Sequence, residues 1–150
     1  MLKIFRCAAP FLLVALFATS AHAQRRVVAY VPNWIDLDEF AQTIDYAKIT
    51  HINIAFENPV DESGELSFNK KDQALITQAR AHKVKVLVSI GGGAASGNKK
   101  LLNRYFDLLT DAKRKGFATK LANYVVEHDL DGLDVDIEGP SNQPGLWCVR

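Results

Sequence analysis

The stretch of sequence that decides the fold lies at residues 131–138 and reads Asp131-Gly132-Leu133-Asp134-Val135-Asp136-Ile137-Glu138. Acidic and branched apolar residues alternate along it, and a period of two predicts a β-strand. Residues two apart on a strand share a face, so this strand has one acidic side and one apolar side. The acidic side holds Asp134, Asp136 and Glu138. The apolar side, which we expect to pack against helices, holds Leu133, Val135 and Ile137.

The acidic side of this strand indicates a chemical role, because a row of like charges adds nothing to stability. Close carboxylates do not all ionise easily, so one of them tends to keep its proton. A carboxyl group that is still protonated near neutral pH is what a general acid requires. Two other roles stay open at this point. The carboxylates could bind a hard cation such as Mg²⁺ or Ca²⁺, or they could form a solvated strand edge.

Strand and helix patterns alternate along the chain before this strand. Apolar, β-branched runs predict strands at residues 27–31, 50–56 and 84–90. Apolar residues at helical spacing predict helices at residues 36–46, 98–109 and 111–128, and another helix after the capping residue Asn69. This βαβαβαβ order, with right-handed crossovers, gives a four-stranded parallel sheet. The pattern alone fits both the N-terminal half of a (β/α)₈ barrel and a small doubly wound sheet.

A glycine-rich segment, Gly91-Gly92-Gly93, follows the third predicted strand. It lacks the Lys-Ser or Lys-Thr pair of a P-loop, which argues against a nucleotide phosphate site. Glycine permits positive φ and lets the backbone approach a ligand closely. The segment is therefore expected to be a turn beside a binding site.

Aromatic residues stand at the C-terminal ends of the first two predicted strands, where Tyr30, Trp34 and Phe56 are found. Aromatic side chains are more often part of the core, but they could also form a floor on which a sugar ring stacks. No second His or Cys lies at the spacing of a zinc site from His51, which argues against a metal site of that kind.

Two motifs resemble those of glycoside hydrolase family 18, the chitinases and endo-β-N-acetylglucosaminidases. The pattern Asp131-x-x-Asp134-x-Asp136-x-Glu138 matches the family signature at all four acidic positions, and Ser89-Ile90-Gly91-Gly92 resembles its Ser-x-Gly-Gly. The resemblance runs from about residue 27 to residue 140 and selects the barrel. It implies a catalytic domain at residues 24–140, built as the N-terminal half of a (β/α)₈ TIM barrel, with its site at the C-terminal ends of the strands.

The resemblance also implies a reaction, namely the hydrolysis of β-1,4-linked N-acetylglucosamine with retention of configuration. The 2-acetamido carbonyl of the sugar attacks the anomeric carbon and gives an oxazolinium intermediate. Glu138 would protonate the leaving oxygen, Asp136 would orient the acetamide, and Asp134 would share a proton with Asp136. Such a reaction needs no metal ion and no organic cofactor.

The resemblance gives other residues supporting roles. Tyr30 and Ser89 would hold Asp134 in place, while Asp131 would be structural. The residues expected to contact the substrate or the carboxylates are Tyr30, Trp34, Phe56, Ser89, Gly91 and Gly92.

The family domain is much longer than this chain, and its strands five to eight have no counterpart here. Residues 141–150 are expected to be an irregular tail that follows a truncation. We therefore expect poor activity from the chain alone, and self-association through its open sheet edges. Two alternatives to an enzyme are a non-catalytic, lectin-like protein that binds chitin or another glycan, and an inactive product of a truncated gene.

The first 23 residues predict a secretory signal peptide. They combine a basic start without acidic residues, an apolar run at residues 8–18 and the small-residue site Ala21-His22-Ala23. The alternative is an uncleaved membrane anchor, but the run is shorter than the ~20 apolar residues that span a bilayer. A signal peptide predicts a secreted protein, extracellular or periplasmic after bacterial-type export, with no membrane attachment after cleavage.

Composition limits the partners of the exported chain. Of the 18 Lys and Arg residues, Lys3 and Arg6 lie in the predicted signal peptide, which leaves 16 against 17 Asp and Glu residues. A chain so close to neutral is not expected to bind nucleic acid. Cys7 also lies in the signal peptide, so Cys148 has no partner for an intrachain disulfide.

Overall fold

The computed structural model of the chain describes residues 25–137. Four strands lie in this part: β1 (Val28–Pro32), β2 (His51–Ala55), β3 (Lys85–Gly91) and β4 (Gly132–Asp136). They form one sheet in the order β1-β2-β3-β4, and each strand pairs in parallel with the next. The predicted arrangement of four parallel strands with intervening helices is confirmed.

Helices occupy the connections between the strands. They are α1 (Leu37–Phe40), α2 (Asp72–Ala81), α3 (Gly92–Gly97), α4 (Lys99–Leu108) and α5 (Arg114–Glu127), with a 3₁₀ turn at Tyr46–Lys48. Polar side chains cap the starts of α1 and α4. The Asp36 carboxylate accepts from the backbone N–H of Asp38 at 3.1 Å, and Asn98 Oδ1 accepts from the N–H of Lys100 at 3.0 Å. The cap predicted at Asn69 is wrong, because α2 begins at Asp72 with Lys71 as its N-cap residue and without a side-chain cap.

Two helical segments differ from the sequence prediction. The helix predicted at residues 36–46 ends after Phe40, where the Thr43 hydroxyl donates to the Phe40 carbonyl at 2.8 Å. A side chain that bonds the backbone in this way competes with continuation of the helix. The glycine-rich segment, expected to be a turn, instead forms the short helix α3, in which Gly92 and Ala95 are buried. Packing overrides the low helix propensity of glycine there.

The helices cover one face of the sheet, because alternate strand residues on that face are apolar. A first cluster joins the strands to α1 and α2, through residues that include Ile52, Ile54, Val86, Leu37, Leu75 and Ile76. A second cluster joins β3 to α4 and α5, through residues that include Val88, Ile90, Tyr105, Leu108 and Phe117. Complete burial of each Leu or Ile side chain is worth ~1.5–3 kcal/mol. These two clusters hold the sheet and helices together.

The apolar side of β4 packs only in part as the sequence predicts. Leu133 and Ile137 pack against the second cluster. Val135, between them, is 60% exposed, so the expectation that it packs against helices is wrong for the described residues. The reason is that β4 is an edge strand among the described residues, and Val135 is not one of the residues that pack against the second cluster.

Within residues 25–137, no helix combines the length and the apolar character that a membrane span needs. The predicted signal peptide, the tail at residues 141–150 and both ends of the expected domain at residues 24–140 lie outside the described residues.

Candidate active site

The register of the strands brings the predicted site residues to one end of the sheet. Ala55, Ser89 and Asp134 are direct neighbours across β2, β3 and β4. One step further along, Gly91 of β3 pairs with Asp136 of β4. All of these positions lie near the C-terminal ends of their strands and on the face opposite the helices. This is the end of a parallel α/β sheet at which ligand sites are built.

Asp134 is fixed by two hydroxyl groups from other strands. The Ser89 hydroxyl donates to Asp134 Oδ2 at 2.7 Å, and the Tyr30 hydroxyl donates to the same oxygen at 3.0 Å. Ser89 is fully buried. Hydrogen bonds to a charged acceptor are roughly twice as strong as those between neutral groups. The Asp134 side chain is therefore held in one orientation by β1 and β3 together.

Tyr30 combines an anchored hydroxyl with an open ring. Its hydrogen bond to Asp134 is the main cause that raises its pKa, and its hydrogen bond with Asn53 opposes this shift. The phenol therefore stays a protonated donor through the neutral range. The Tyr30 side chain is 55% exposed, so its ring is accessible to a ligand on this face of the sheet. Asn53, the buried neighbour of Tyr30 on β2, was not singled out from the sequence.

Gly91 sets the position of the backbone at Asp136. Its φ is +101°, and a Cβ added there would lie 2.2 Å from the carbonyl oxygen of Asp136. No real Cβ contact is that short, and φ in this range favours glycine. The end of β3 and the end of β4 therefore touch through a position that has no room for a side chain.

The side chain of Asn58 holds this turn from the loop after β2. The Gly91 N–H donates to Asn58 Oδ1 at 2.8 Å, and Asn58 Nδ2 donates to the Gly91 carbonyl at 3.3 Å. The hydroxyl of the buried Tyr105 donates to the same Asn58 oxygen. Sequence reasoning missed Asn58 and Tyr105, because Asn58-Pro59 is a common loop dipeptide and Tyr105 fits an apolar helix stripe.

The aromatic candidates lie in different surroundings. The Phe56 ring packs on Gly92, where an added Cβ would lie 2.5 Å from the ring. Trp34, in the turn after β1, is 73% exposed. Phe56 is thus part of the wall beside the glycine turn, and Trp34 offers an open ring above the end of β1.

Asp131 lies apart from these groups, at the start of β4. Its Oδ2 accepts from the Val86 N–H at 2.9 Å, and its own N–H donates to the Val86 carbonyl at 2.7 Å. These contacts fix the start of β4 against β3. Glu138, the expected acid, lies outside the described residues.

A second pair of carboxyl groups, which the sequence did not suggest, is buried below the loop that follows β2. Glu57 Oε1 accepts from Asn33 Nδ2 at 2.8 Å and from the Asn69 N–H at 2.9 Å. The Ser67 hydroxyl donates to the other Glu57 oxygen. Asp72, which is 1% exposed, has its pKa raised to about 8 by burial and by its hydrogen bond with Glu57. The pair ties the loop at residues 57–71 to the end of β1.

Among residues 25–137, no group of three or more His, Cys, Asp or Glu side chains is placed to hold a metal ion. A cavity of 610 Å³ lies at the opposite end of the sheet, lined by residues that precede or begin the strands. It is therefore remote from Asp134 and Asp136, which lie on an open face.

Comparisons with known proteins agree on one family. The model of glycosyl hydrolases family 18 matches residues 26–145. A chitinase-like effector of Moniliophthora perniciosa is 32% identical over 124 residues, which are 79% of this chain and 27% of that protein. Secreted chitinase LysM12 of Penicillium expansum is 34% identical over 109 residues, which are 69% of this chain and 7% of that protein.

Solved structures give the same result for the fold. A family 18 chitinase, ChiB of Flavobacterium johnsoniae, superposes with a TM-score of 0.66 at 32% identity, and the match covers 75% of this chain and 36% of that chain. The chain thus spans about a third or less of the length of these relatives. The likeness confirms the predicted fold class, four strands and their helices from part of a (β/α)₈ barrel, over the doubly wound sheet.

Proposed function

Because the chain belongs to glycosyl hydrolases family 18, we propose that its acidic strand carries part of an active site that cleaves β-1,4-linked N-acetylglucosamine. The chain covers only part of its relatives, so both its activity and its substrate belong to the proposal. The single observation that carries it is the anchoring of Asp134 by the hydroxyl groups of Tyr30 and Ser89.

Both hydroxyl groups bind the same oxygen of Asp134, Oδ2. The other oxygen is then available to Asp136, which is two residues further along the same face of β4. Asp136 can then accept the N–H of the substrate acetamide and offset the positive charge that develops on it.

Glu138 is the next residue with the same strand phase, so it would face the same ligand. It would donate its proton to the glycosidic oxygen while the acetamide carbonyl oxygen bonds to the anomeric carbon and the glycosidic bond breaks. Water would then attack the anomeric carbon and lose a proton to Glu138. This attack breaks the bond between the anomeric carbon and the acetamide oxygen, so the oxazolinium ring opens. The product keeps the configuration of the substrate.

The test is a comparison of two Glu→Gln variants in a form of the protein that turns over a chitobiose-type fluorogenic substrate. Glu138→Gln should lower kcat at least ~10²-fold, because general acid catalysis is lost, while the Kd for a chitooligosaccharide stays within about twofold. The control is Glu127→Gln at the exposed end of α5, which should leave kcat unchanged. A Glu138→Gln variant with the wild-type kcat would remove Glu138 from this role.

A second candidate function is glycan binding without hydrolysis. It is favoured by the M. perniciosa relative, which is named a chitinase-like effector, and by the exposed rings of Tyr30 and Trp34. Titration calorimetry with chitohexaose, followed by mass spectrometry of the mixture, separates the two functions. Saturable binding with no shorter product after prolonged incubation supports the binding protein, and shorter products support the hydrolase.

We also propose that the protein is exported. The supporting features are the signal-like residues 1–23 and the P. expansum relative that is named a secreted chitinase. N-terminal sequencing of protein from the culture medium or periplasm should begin at Gln24. Protein that retains Met1 and pellets with membranes would indicate an anchor instead.

A further inference from the structure

The N-terminal ends of the first three strands surround the cavity of 610 Å³, at the end of the sheet opposite Asp134 and Asp136. Six of the residues that line it are basic: Arg25, Arg26, His51, His82, Lys83 and Lys85. None of its lining residues among those the structure describes is acidic. The cavity therefore has a positive electrostatic potential, unlike the face that carries the proposed active site.

The fold brings these six side chains together from distant parts of the sequence. His51 begins β2 and pairs with Lys85 at the start of β3, while Val28 of β1 pairs with His51 on its other side. Arg25 and Arg26 precede β1, and Lys83 lies in the turn between α2 and β3. Neighbouring strands are ~4.8 Å apart, so the charges cover a width of about 10 Å.

The protein does not neutralise this charge within the part of the chain that the structure describes. The ion pairs found there involve other cations, and none includes Arg25, Arg26, Lys83 or Lys85. The nearby Asp45 binds Lys48 at 2.8 Å. Asp131 accepts from the Val86 N–H and does not line the cavity. Like charges placed close together repel one another, and a bound anion would remove that cost.

Two walls of the cavity are fixed by packing. The His82 ring stacks on the ring of the buried Tyr46, with 4.7 Å between the centroids and 2° between the planes. The other imidazole, His51, is held through its Nδ1 by the Thr50 hydroxyl at 2.7 Å. A ligand would therefore meet a partly ordered site and not only mobile surface side chains.

We propose that this cavity binds a soluble ligand that carries two or more linked phosphate groups. The width of the charged region exceeds a single phosphate, and the two arginines offer planar forks that match pairs of phosphate oxygens. Lys83 and Lys85 supply point charges for a further group. The four Lys and Arg residues at the cavity cover only one end of a chain whose net charge is close to neutral, which favours a small ligand over a nucleic acid. This site is independent of the proposed glycosidase site.

The first experiment measures protection of lysines in the unmodified full chain. Sodium tripolyphosphate should slow the acetylation of Lys83 and Lys85 at least ~5-fold, with saturation, as followed by mass spectrometry. Lys99 and Lys115 are exposed lysines elsewhere in the same chain, and their acetylation rates should not change. Equal protection of all four lysines, or of none, would overturn the proposal. Equal protection by monophosphate at the same ionic strength would overturn the requirement for linked phosphates.

The second experiment compares two variants of equal net charge. The double variant Arg26→Gln/Lys85→Gln should bind tripolyphosphate roughly 5- to 10-fold more weakly than the wild type, since it loses two exposed ion pairs with the ligand. Lys99→Gln/Lys115→Gln should bind within twofold of the wild type. All four residues are exposed, so circular dichroism should show the same fold. Equal weakening by both double variants would overturn the site. Binding of the protein to vesicles of anionic phospholipid, without any binding of free tripolyphosphate, would also overturn the proposal.

Discussion

At the scale of single residues, the hydroxyl group of Ser89 is the contact on which the proposed site depends most. It is fully buried and donates to Asp134 at 2.7 Å, whereas Tyr30 makes its contact to Asp134 from an exposed position. Both hydroxyl groups donate to the same oxygen of Asp134, but water can replace the exposed Tyr30 hydroxyl far more easily than the buried Ser89 hydroxyl. The two contacts should therefore differ in their effect on stability.

We expect Ser89→Ala to lower the free energy of unfolding by about 1–3 kcal/mol, because Asp134 loses a buried, charge-assisted donor. Urea denaturation followed by fluorescence measures the change. Ser63→Ala is the matched control, since Ser63 also donates to an aspartate, Asp61 at 2.8 Å, but is exposed. It should change stability by less than ~0.5 kcal/mol. Equal effects of the two variants would contradict the role given to the Ser89 contact.

Asp72 should make the stability of the protein depend on pH. Burial is the main cause that raises its pKa from 3.8 to about 8. A carboxyl group with a higher pKa in the folded chain takes up a proton on folding. Its contribution to stability is therefore complete below pH 3.8 and is lost as the pH rises towards 8.

Asp72→Asn keeps the shape of the side chain and cannot ionise, so it should gain stability relative to the wild type as the pH rises. We expect the difference in the free energy of unfolding between variant and wild type to grow by at least ~1 kcal/mol from pH 5 to pH 8.5. Urea denaturation at the two pH values measures it. The control is Asp38→Asn, at an exposed position. Its free energy of unfolding should differ from that of the wild type by the same amount at both pH values. A constant difference for Asp72→Asn would contradict the buried proton.

At the scale of elements, the strands followed from the sequence and the short helices did not. Alternation of apolar residues is a local pattern, so β1 to β4 were found near their true positions. The end of α1 depends on one hydroxyl contact, from Thr43 to Phe40, and α3 depends on the burial of a glycine-rich segment. Neither of these causes is visible in hydrophobic periodicity.

The site could be predicted only where the family resemblance supplies its residues, from the two motifs and from the end of the first strand. Asp134, Ser89 and Tyr30 were named from the family resemblance, and the structure brings them into contact. Asn58 meets Gly91 across 33 residues of sequence, and Tyr105 meets Asn58 across 47. Such contacts follow from how the loops and helices pack, which no spacing in one sequence encodes.

Two glycines in different elements should respond to alanine in opposite directions. Gly91→Ala should lower the free energy of unfolding by more than ~2 kcal/mol, because its Cβ would lie 2.2 Å from the Asp136 carbonyl and its φ is +101°. Gly116→Ala in α5 should raise stability by about 0.5–1 kcal/mol, since no atom lies within 4 Å of its added Cβ. Thermal unfolding by circular dichroism measures both. Destabilisation by both variants would mean that the contact with Asp136 is not what distinguishes them.

At the scale of the whole molecule, the described sheet has β1 and β4 as open edges. Apolar side chains lie beside them, with Tyr30 at 55% and Val135 at 60% exposure. Unpaired edges with exposed apolar residues favour association. An edge position for β4 also leaves Asp136 without a neighbour on one side, and a displacement of ~1 Å in a reacting group can cost 10²-fold in rate.

We therefore expect residues 24–150 alone to self-associate and to have little chitinase activity. Light scattering after size-exclusion chromatography should show an average mass that rises with concentration. Val135→Lys should reduce this association, because a lysine on an edge strand discourages pairing. Val126→Lys is the control, since Val126 is 79% exposed but lies on the helix α5 and not on an edge strand. A monomeric chain that melts cooperatively and cleaves chitooligosaccharides at ordinary enzyme rates would refute this expectation.

The contact between Gly91 and Asp136 has a consequence for mutational tolerance. Every replacement of glycine by another L-amino acid adds a Cβ, and that atom alone would meet the Asp136 carbonyl at 2.2 Å. A saturation scan scored by activity would mark position 91 as intolerant to all nineteen alternatives, as it would a position that touches the sugar. Intolerance at position 91 would result from the close approach of two backbone segments. The positions that such a scan identifies as essential would therefore include residues that do not contact the ligand.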